Sequence, residues 1–209
     1  MKGQVLPVRR RRLYLQLLPA CAVTTLLPFA AVAKPGTAWL LLGLGTAADR
    51  PYRGCALRLR ALDAAGTARM LRYPAPSGWA GKTWPYRTPQ AQGELLLLAL
   101  PAGSYEIQDF ELIQQTGQTQ RMARAQRPLS LRIELHEGVV SYIGHYEAHD
   151  QGEQALPRDV LVLSDQLEAA QRPWATGADQ SLRLKAPERQ LPDLSVVKHP
   201  QLLPHLGDR

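Results

Sequence analysis

Cysteine is the first scarcity in this chain of 209 residues: there are two, Cys21 and Cys55. Two cysteines build no disulfide framework, and Cys55, at the head of an apolar strand, reads as a small buried hydrophobe and not as a reactive thiol. Asparagine is absent altogether, which removes any N-glycosylation acceptor. Also missing are a G-x-S-x-G elbow, an HExxH helix and a Walker loop, and the 18 acidic residues form no recognisable acid/base pair. These absences point to a non-enzymatic protein without a cofactor.

Positive charge is abundant overall, +7 formally, but it is unevenly placed. Lys2 and Arg9, Arg10, Arg11 and Arg12 precede Lys34, where no acidic residue occurs. The 25 basic residues less those five leave 20 against 18 in the remainder, a net of +2. The basicity belongs to the leader, so it gives no argument for a nucleic-acid partner.

Residues 1–33 have the basic start, apolar middle and small-residue end of a secretory signal, with Ala31-Val32-Ala33 before a cleavage at Lys34. Two rival readings stand beside this one. Leu18-Pro19-Ala20-Cys21 resembles a lipoprotein signal with Cys21 as the lipidated residue, although residues 22–33 stay apolar where a polar tether is usual. Alternatively residues 13–33, close to the ~20 residues that span a bilayer, stay uncleaved as a membrane anchor, despite Pro19 and Pro28. All three readings export the chain across a bacterial inner membrane, to the periplasm or to an envelope membrane.

Beyond the leader the patterns are those of strands. Residues 37–44 form an apolar run, and Gly43-Leu44-Gly45-Thr46-Ala47-Ala48 matches a dinucleotide fingerprint. The match lacks context, because Pro51 and Gly54 leave no room for the helix that would meet the phosphate. Residues 55–63 and 67–73 read as a hairpin with Leu57 and Leu59 inward and Arg58 and Arg60 outward. Residues 93–113 read as a second hairpin turning at Pro101-Ala102-Gly103. Tyr105 and Ile107 fall on one face of its return strand and Phe110 and Leu112 on the other, which calls for a β-bulge near Gln108-Asp109. Residues 116–128 read as a polar linker. Residues 129–136 alternate cleanly and turn at Glu137-Gly138 into a partner strand, 139–147. A strand at 160–163 and a helix at 165–172, capped by Asp165 and stopped by Pro173, precede a Pro-rich tail with a further candidate strand at 181–185.

Two groups of residues are candidates for a site. Residues 74–93 read as one long irregular loop carrying Trp79, Lys82, Trp84 and Tyr86 beside Arg87, a composition suited to aromatic anchors with a polar rim. The same tryptophans would equally serve by folding back to cap the core. His145, Glu147 and His149, spaced by two, share one face of a continuous strand, where two imidazoles and a carboxylate suit zinc or non-haem iron.

The turn Leu100-Pro101-Ala102-Gly103-Ser104-Tyr105 and the later Tyr142-Ile143-Gly144 resemble the prealbumin-like, carboxypeptidase-regulatory-like sandwich modules of exported bacterial envelope proteins, over residues 38–147. The resemblance implies a non-catalytic accessory domain and supplies no active residues. The resulting expectation is a mainly β, antiparallel sandwich of about seven strands over 37–150, followed by an extension, 151–209, with one short helix. Its expected role is a binding or accessory module of the envelope, with an envelope protein, peptidoglycan or lipid as partner and the membrane engaged through the leader if that stays uncleaved or is lipidated. The alternative is a metal-binding protein or metal-dependent enzyme using His145, Glu147 and His149.

Overall fold

Leucine recurs at every second position in Leu40, Leu42 and Leu44 and again in Leu96, Leu98 and Leu100, so two extended segments present one continuous apolar face. In the computed structural model, which describes residues 36–48, 52–63, 68–116, 118–150, 159–176, 185–193 and 202–204, these segments are neighbouring central strands of a mainly β sandwich. Its strands are β1 (Thr37–Ala47), β2 (Tyr52–Ala61), β3 (Ala68–Tyr73), β4 (Lys82–Arg87), β5 (Ala91–Pro101), β6 (Gly103–Thr116), β7 (Thr119–Arg124), β8 (Leu131–Leu135), β9 (Val140–Asp150), β10 (Asp159–Ser164), β11 (Glu188–Arg189) and β12 (Leu202–Pro204). One helix, α1 (Leu167–Ala175), follows β10. The leader with Cys21, and residues 181–184 of the candidate tail strand, lie outside the described residues. Among the described residues no helix is long and apolar enough to cross a membrane.

The larger sheet runs β12-β10-β9-β1-β5-β4, with β11 also beside β9; the smaller runs β3-β2-β6-β7, with β8 also beside β6. Pairing is mostly antiparallel, but β9 lies parallel to β1, and β11 and β12 lie parallel to their partners. Among the described residues nine strands fall between Thr37 and Asp150, and β10, β11 and β12 extend the larger sheet.

The hairpin expected at 93–113 is instead a crossing between sheets. β5 is flanked by β1 and β4, and β6 by β2 on one side and β7 and β8 on the other, so the two never pair. Gly103, at φ 145°, redirects the chain. The corner is closed by Tyr105 Oη donating to the Pro101 carbonyl (2.8 Å) and Ala102 N–H donating to Gly36 O (2.8 Å). The pair expected at 129–147 is a crossing too: β8 joins β6, while Gly138, at φ 71°, passes β9 across to β1. In both places the apolar faces meet across the core and not side by side in one sheet. The hairpin of β2 and β3 forms as expected.

The bulge in β6 is where the sequence puts it. Arg58 pairs with Asp109 and Leu59 with Ile107, leaving Gln108 as the extra residue. The bulge turns Tyr105, Ile107, Phe110 and Leu112 into the same core, where Ile107, Phe110 and Leu112 are fully buried against Leu40, Leu42, Leu57, Leu59, Leu96 and Leu98. Each such side chain contributes about 1.5–3 kcal/mol. A polar clasp joins the sheets at one end: Tyr52 Oη donates to Asp159 Oδ1 at 2.6 Å and to His149 O at 3.2 Å.

Two further expectations are corrected. The polar linker at 116–128 contains β7, an edge strand whose Arg124 meets Glu111 at 3.2 Å. The helix begins at Leu167, its N-cap is Gln166 and not Asp165, and it passes through Pro173 to Ala175. Pro173 lies in the last turn, where its missing N–H loses a single bond and its ring is buried.

A second bulge lies in β9. Leu41 pairs with Tyr142 and Gly43 with His145, with Gly144 nearby at φ 106° and a Cβ there overlapping Leu163. Gly144→Ala is therefore expected to cost roughly 2–3 kcal/mol, read as a lower urea midpoint at unchanged slope. An unchanged or raised midpoint would contradict this role.

Candidate functional site

The two sheets differ on their outer faces. The smaller presents charges, such as Arg60 against Glu106 at 2.8 Å and Arg124 against Glu111, as a solvated face does. The larger presents a second apolar cluster, Leu41, Leu95, Leu97, Val140 and Tyr142, with Trp39, Trp84 and Tyr86 packed on it. α1 covers part of this cluster through Leu167, Ala170 and Trp174, at i, i+3 and i+7.

Register then sets the chemistry. Across the larger sheet one row reads Tyr86, Gly93, Gly45, Glu147, and the next reads Trp84, Leu95, Gly43, His145. Three strand spacings separate Tyr86 from Glu147, about 14 Å between backbones. The tyrosine reaches the carboxylate only by lying along the sheet, over the two glycines. Its Oη donates to Glu147 Oε1 at 3.2 Å, and a Cβ at Gly45 or Gly93 would overlap that hydroxyl. Gly43 serves His145 in the same way, since a Cβ there would enter the imidazole ring. The glycines that match a dinucleotide fingerprint are strand positions left bare for side chains from neighbouring strands.

The β9 bulge adds a partner that the spacing by two does not show. It places Tyr142 on the face of His145, with Tyr142 Oη 2.7 Å from His145 Nδ1. Gln166 N–H, at the start of α1, donates to the same hydroxyl at 2.8 Å. The hydroxyl proton is then free to go to Nδ1, which puts the imidazole proton on Nε2. Burial holds His145 neutral by lowering its pKa to about 4, against the opposing pull of Glu147 and Asp165. Burial likewise pushes the Tyr86 and Tyr142 hydroxyls upward, with Glu147 adding to the shift, so both stay protonated donors. Cys55 lies beneath, its Sγ donating to Gly45 O at 3.2 Å and its thiol pushed up to about 12 by burial.

His145, Glu147 and His149 do share this face. They divide into two contacts, His145 with Tyr142 and His149 Nε2 with Glu147 Oε2 at 3.6 Å. Among the described residues no three His, Cys, Asp or Glu side chains are grouped to hold a metal ion.

The aromatic loop resolves into two places. Residues 82–87 are β4, hairpin partner of β5, so the irregular stretch is far shorter than expected. Trp79 packs on the sandwich core, with Gly81 leaving room for its indole. Lys82, Trp84 and Tyr86 alternate on β4, and Trp84 meets Trp174 of α1 at 5.6 Å between rings. Between β4 and α1 lies a cleft of about 710 Å³ lined by Trp84, Pro85 and Tyr86 on one side and by Glu168, Arg172 and Thr176 on the other. Trp174 and the helix face have no counterpart among the candidate residues, because α1 is short and its side of the sheet is fixed only by the fold.

The buried imidazole gives a pH dependence of definite sign. Unfolded His145 takes a proton near 6.5 and folded His145 only near about 4, so the unfolded state binds more protons between these values. Stability is then full above about pH 6.5 and falls as the pH is lowered toward 4, by roughly 3 kcal/mol in all. Urea unfolding at pH 7 and 4.5 should show this loss, and His145→Gln should remove most of it. An equal loss in both proteins would assign the effect elsewhere.

No protein-family model, curated protein or solved structure matches the chain.

Proposed function

We propose that the chain is a non-enzymatic accessory module of the bacterial cell envelope, exported by its leader, that binds its partner in the cleft between β4 and α1. The observation that carries this reading is the asymmetry of the outer faces. One is a ladder of charges, whereas the other holds Trp84 braced by Trp174 and Tyr86 tied to Glu147, at the edge of a cleft of ligand size. Aromatic anchors held rigid lose little entropy on binding. The two-sheet architecture with a Leu-Pro-x-Gly-x-Tyr crossing is consistent with the prealbumin-like resemblance. The buried groups beside Tyr86, a neutral His145 and the protonated Tyr142 bonded to it, serve as braces in this reading.

A photo-crosslinking residue placed at Arg87, on the cleft, or at Arg58, on the opposite sheet, tests it in a bacterial host. The expected result is recovery of the chain in the envelope fraction, with adducts from position 87 and none from position 58. Recovery in the cytoplasm, or adducts independent of position, would overturn the proposal.

A further inference from the structure

The lining of the cleft narrows the class of ligand, on the reading that the cleft is the binding site. Trp84 and Tyr86, two residues apart on an extended strand, put two aromatic side chains on the same face of β4. Both line the cleft, Trp84 held by its ring contact with Trp174 of the opposite wall and Tyr86 by its hydrogen bond to Glu147. The rim carries donors and acceptors together. Arg172 and Glu168 are exposed on α1, and Asp165 pairs with Arg189 at 2.9 Å while remaining open to solvent.

Three other occupants fit less well. A lipid chain would want bare apolar surface, but the exposed large hydrophobics among the described residues, Leu62, Met122 and Leu191, line no part of the cleft. A polyanion would want one sign of charge, and the rim has both. A peptide adding to the sheet edge would meet Pro85, in the middle of β4, which has no N–H to offer.

An array of hydroxyls, each donor and acceptor at once, matches a rim of mixed charge, and the apolar face of a pyranose ring matches an indole. We infer that the cleft binds an extended glycan chain, with successive rings against Trp84 and Tyr86 and hydroxyl or acetamido groups on Arg172, Glu168 and the Asp165–Arg189 pair.

Titration of the full-length chain with chitotetraose, followed by tryptophan emission and calorimetry, tests this, with tetra-alanine and anionic phospholipid vesicles as the competing classes. Saturable binding of the glycan is expected, weakened at least tenfold by Trp84→Ala. An Arg172→Gln/Glu168→Gln variant, altered only on the exposed helix face, should weaken binding at least fivefold at unchanged melting temperature, so the test survives even if Trp84→Ala fails to fold. No glycan binding, or glycan binding indifferent to the helix-face variant, overturns the inference, as does preference for the peptide or the vesicles. If adducts still form at position 87 while chitotetraose does not bind, the glycan assignment falls and the binding cleft stands. If neither is seen, both fall.

Discussion

Bare backbone on the outer face of the larger sheet is the constraint on which the rest of this structure depends. Gly43, Gly45 and Gly93 sit on the central strands β1 and β5, where β-branched residues would ordinarily be favoured. Glycine in a strand interior costs roughly 0.5–1 kcal/mol relative to alanine. Here the cost is offset by what it admits: the imidazole of His145 over Gly43 and the side chain of Tyr86 over Gly93 and Gly45. Without these absences the rows from β4 to β9 could not close, and Tyr86 could not reach Glu147.

The same constraint links the sandwich to the helix. His145, seated over Gly43, bonds Tyr142, and Tyr142 receives Gln166 N–H at the head of α1. α1 is nine residues long, too short to be stable alone. Its position depends on that bond and on Leu167, Ala170 and Trp174 against the sheet. The cleft exists because α1 is anchored at its start and at Trp174, and because the helix face of Glu168 and Arg172 does not descend onto β4. Thus a steric feature of two strands shapes the proposed site through two hydrogen bonds.

Much of the fold is legible in the sequence, and the misses have particular causes. Alternation identifies β8, and the switch of apolar face between Ile107 and Phe110 identifies the bulge at Gln108, because both signals are local. Which strand pairs with which is not local. Pro101-Ala102-Gly103 and Glu137-Gly138 are turn signals in either case, and only the flanking of β5 and β6 by other partners makes them crossings. β7 is an edge strand with no buried face and so carries no alternation, and β4 hides its alternation behind Pro85. For the site, the spacing of His145, Glu147 and His149 gives their common face correctly. Tyr142 joins them only through the bulge near Gly144, and the aromatic group divides because Trp79 precedes β4 while Trp84 and Tyr86 lie within it.

The measurement that bears most directly on this account is a double-mutant cycle between Gly43 and His145, whose ring supplies the nearest atoms to a Cβ at position 43. By backbone entropy alone Gly43→Ala should stabilise the protein by roughly 0.5–1 kcal/mol. With His145 seated over Gly43 the opposite sign is expected, a loss of about 2 kcal/mol or more from overpacking in the intact chain. In a His145→Ala background that loss should vanish or turn into a small gain, giving a coupling well above the few tenths of a kcal/mol expected of independent sites. An effect of Gly43→Ala that is the same in both backgrounds would contradict it.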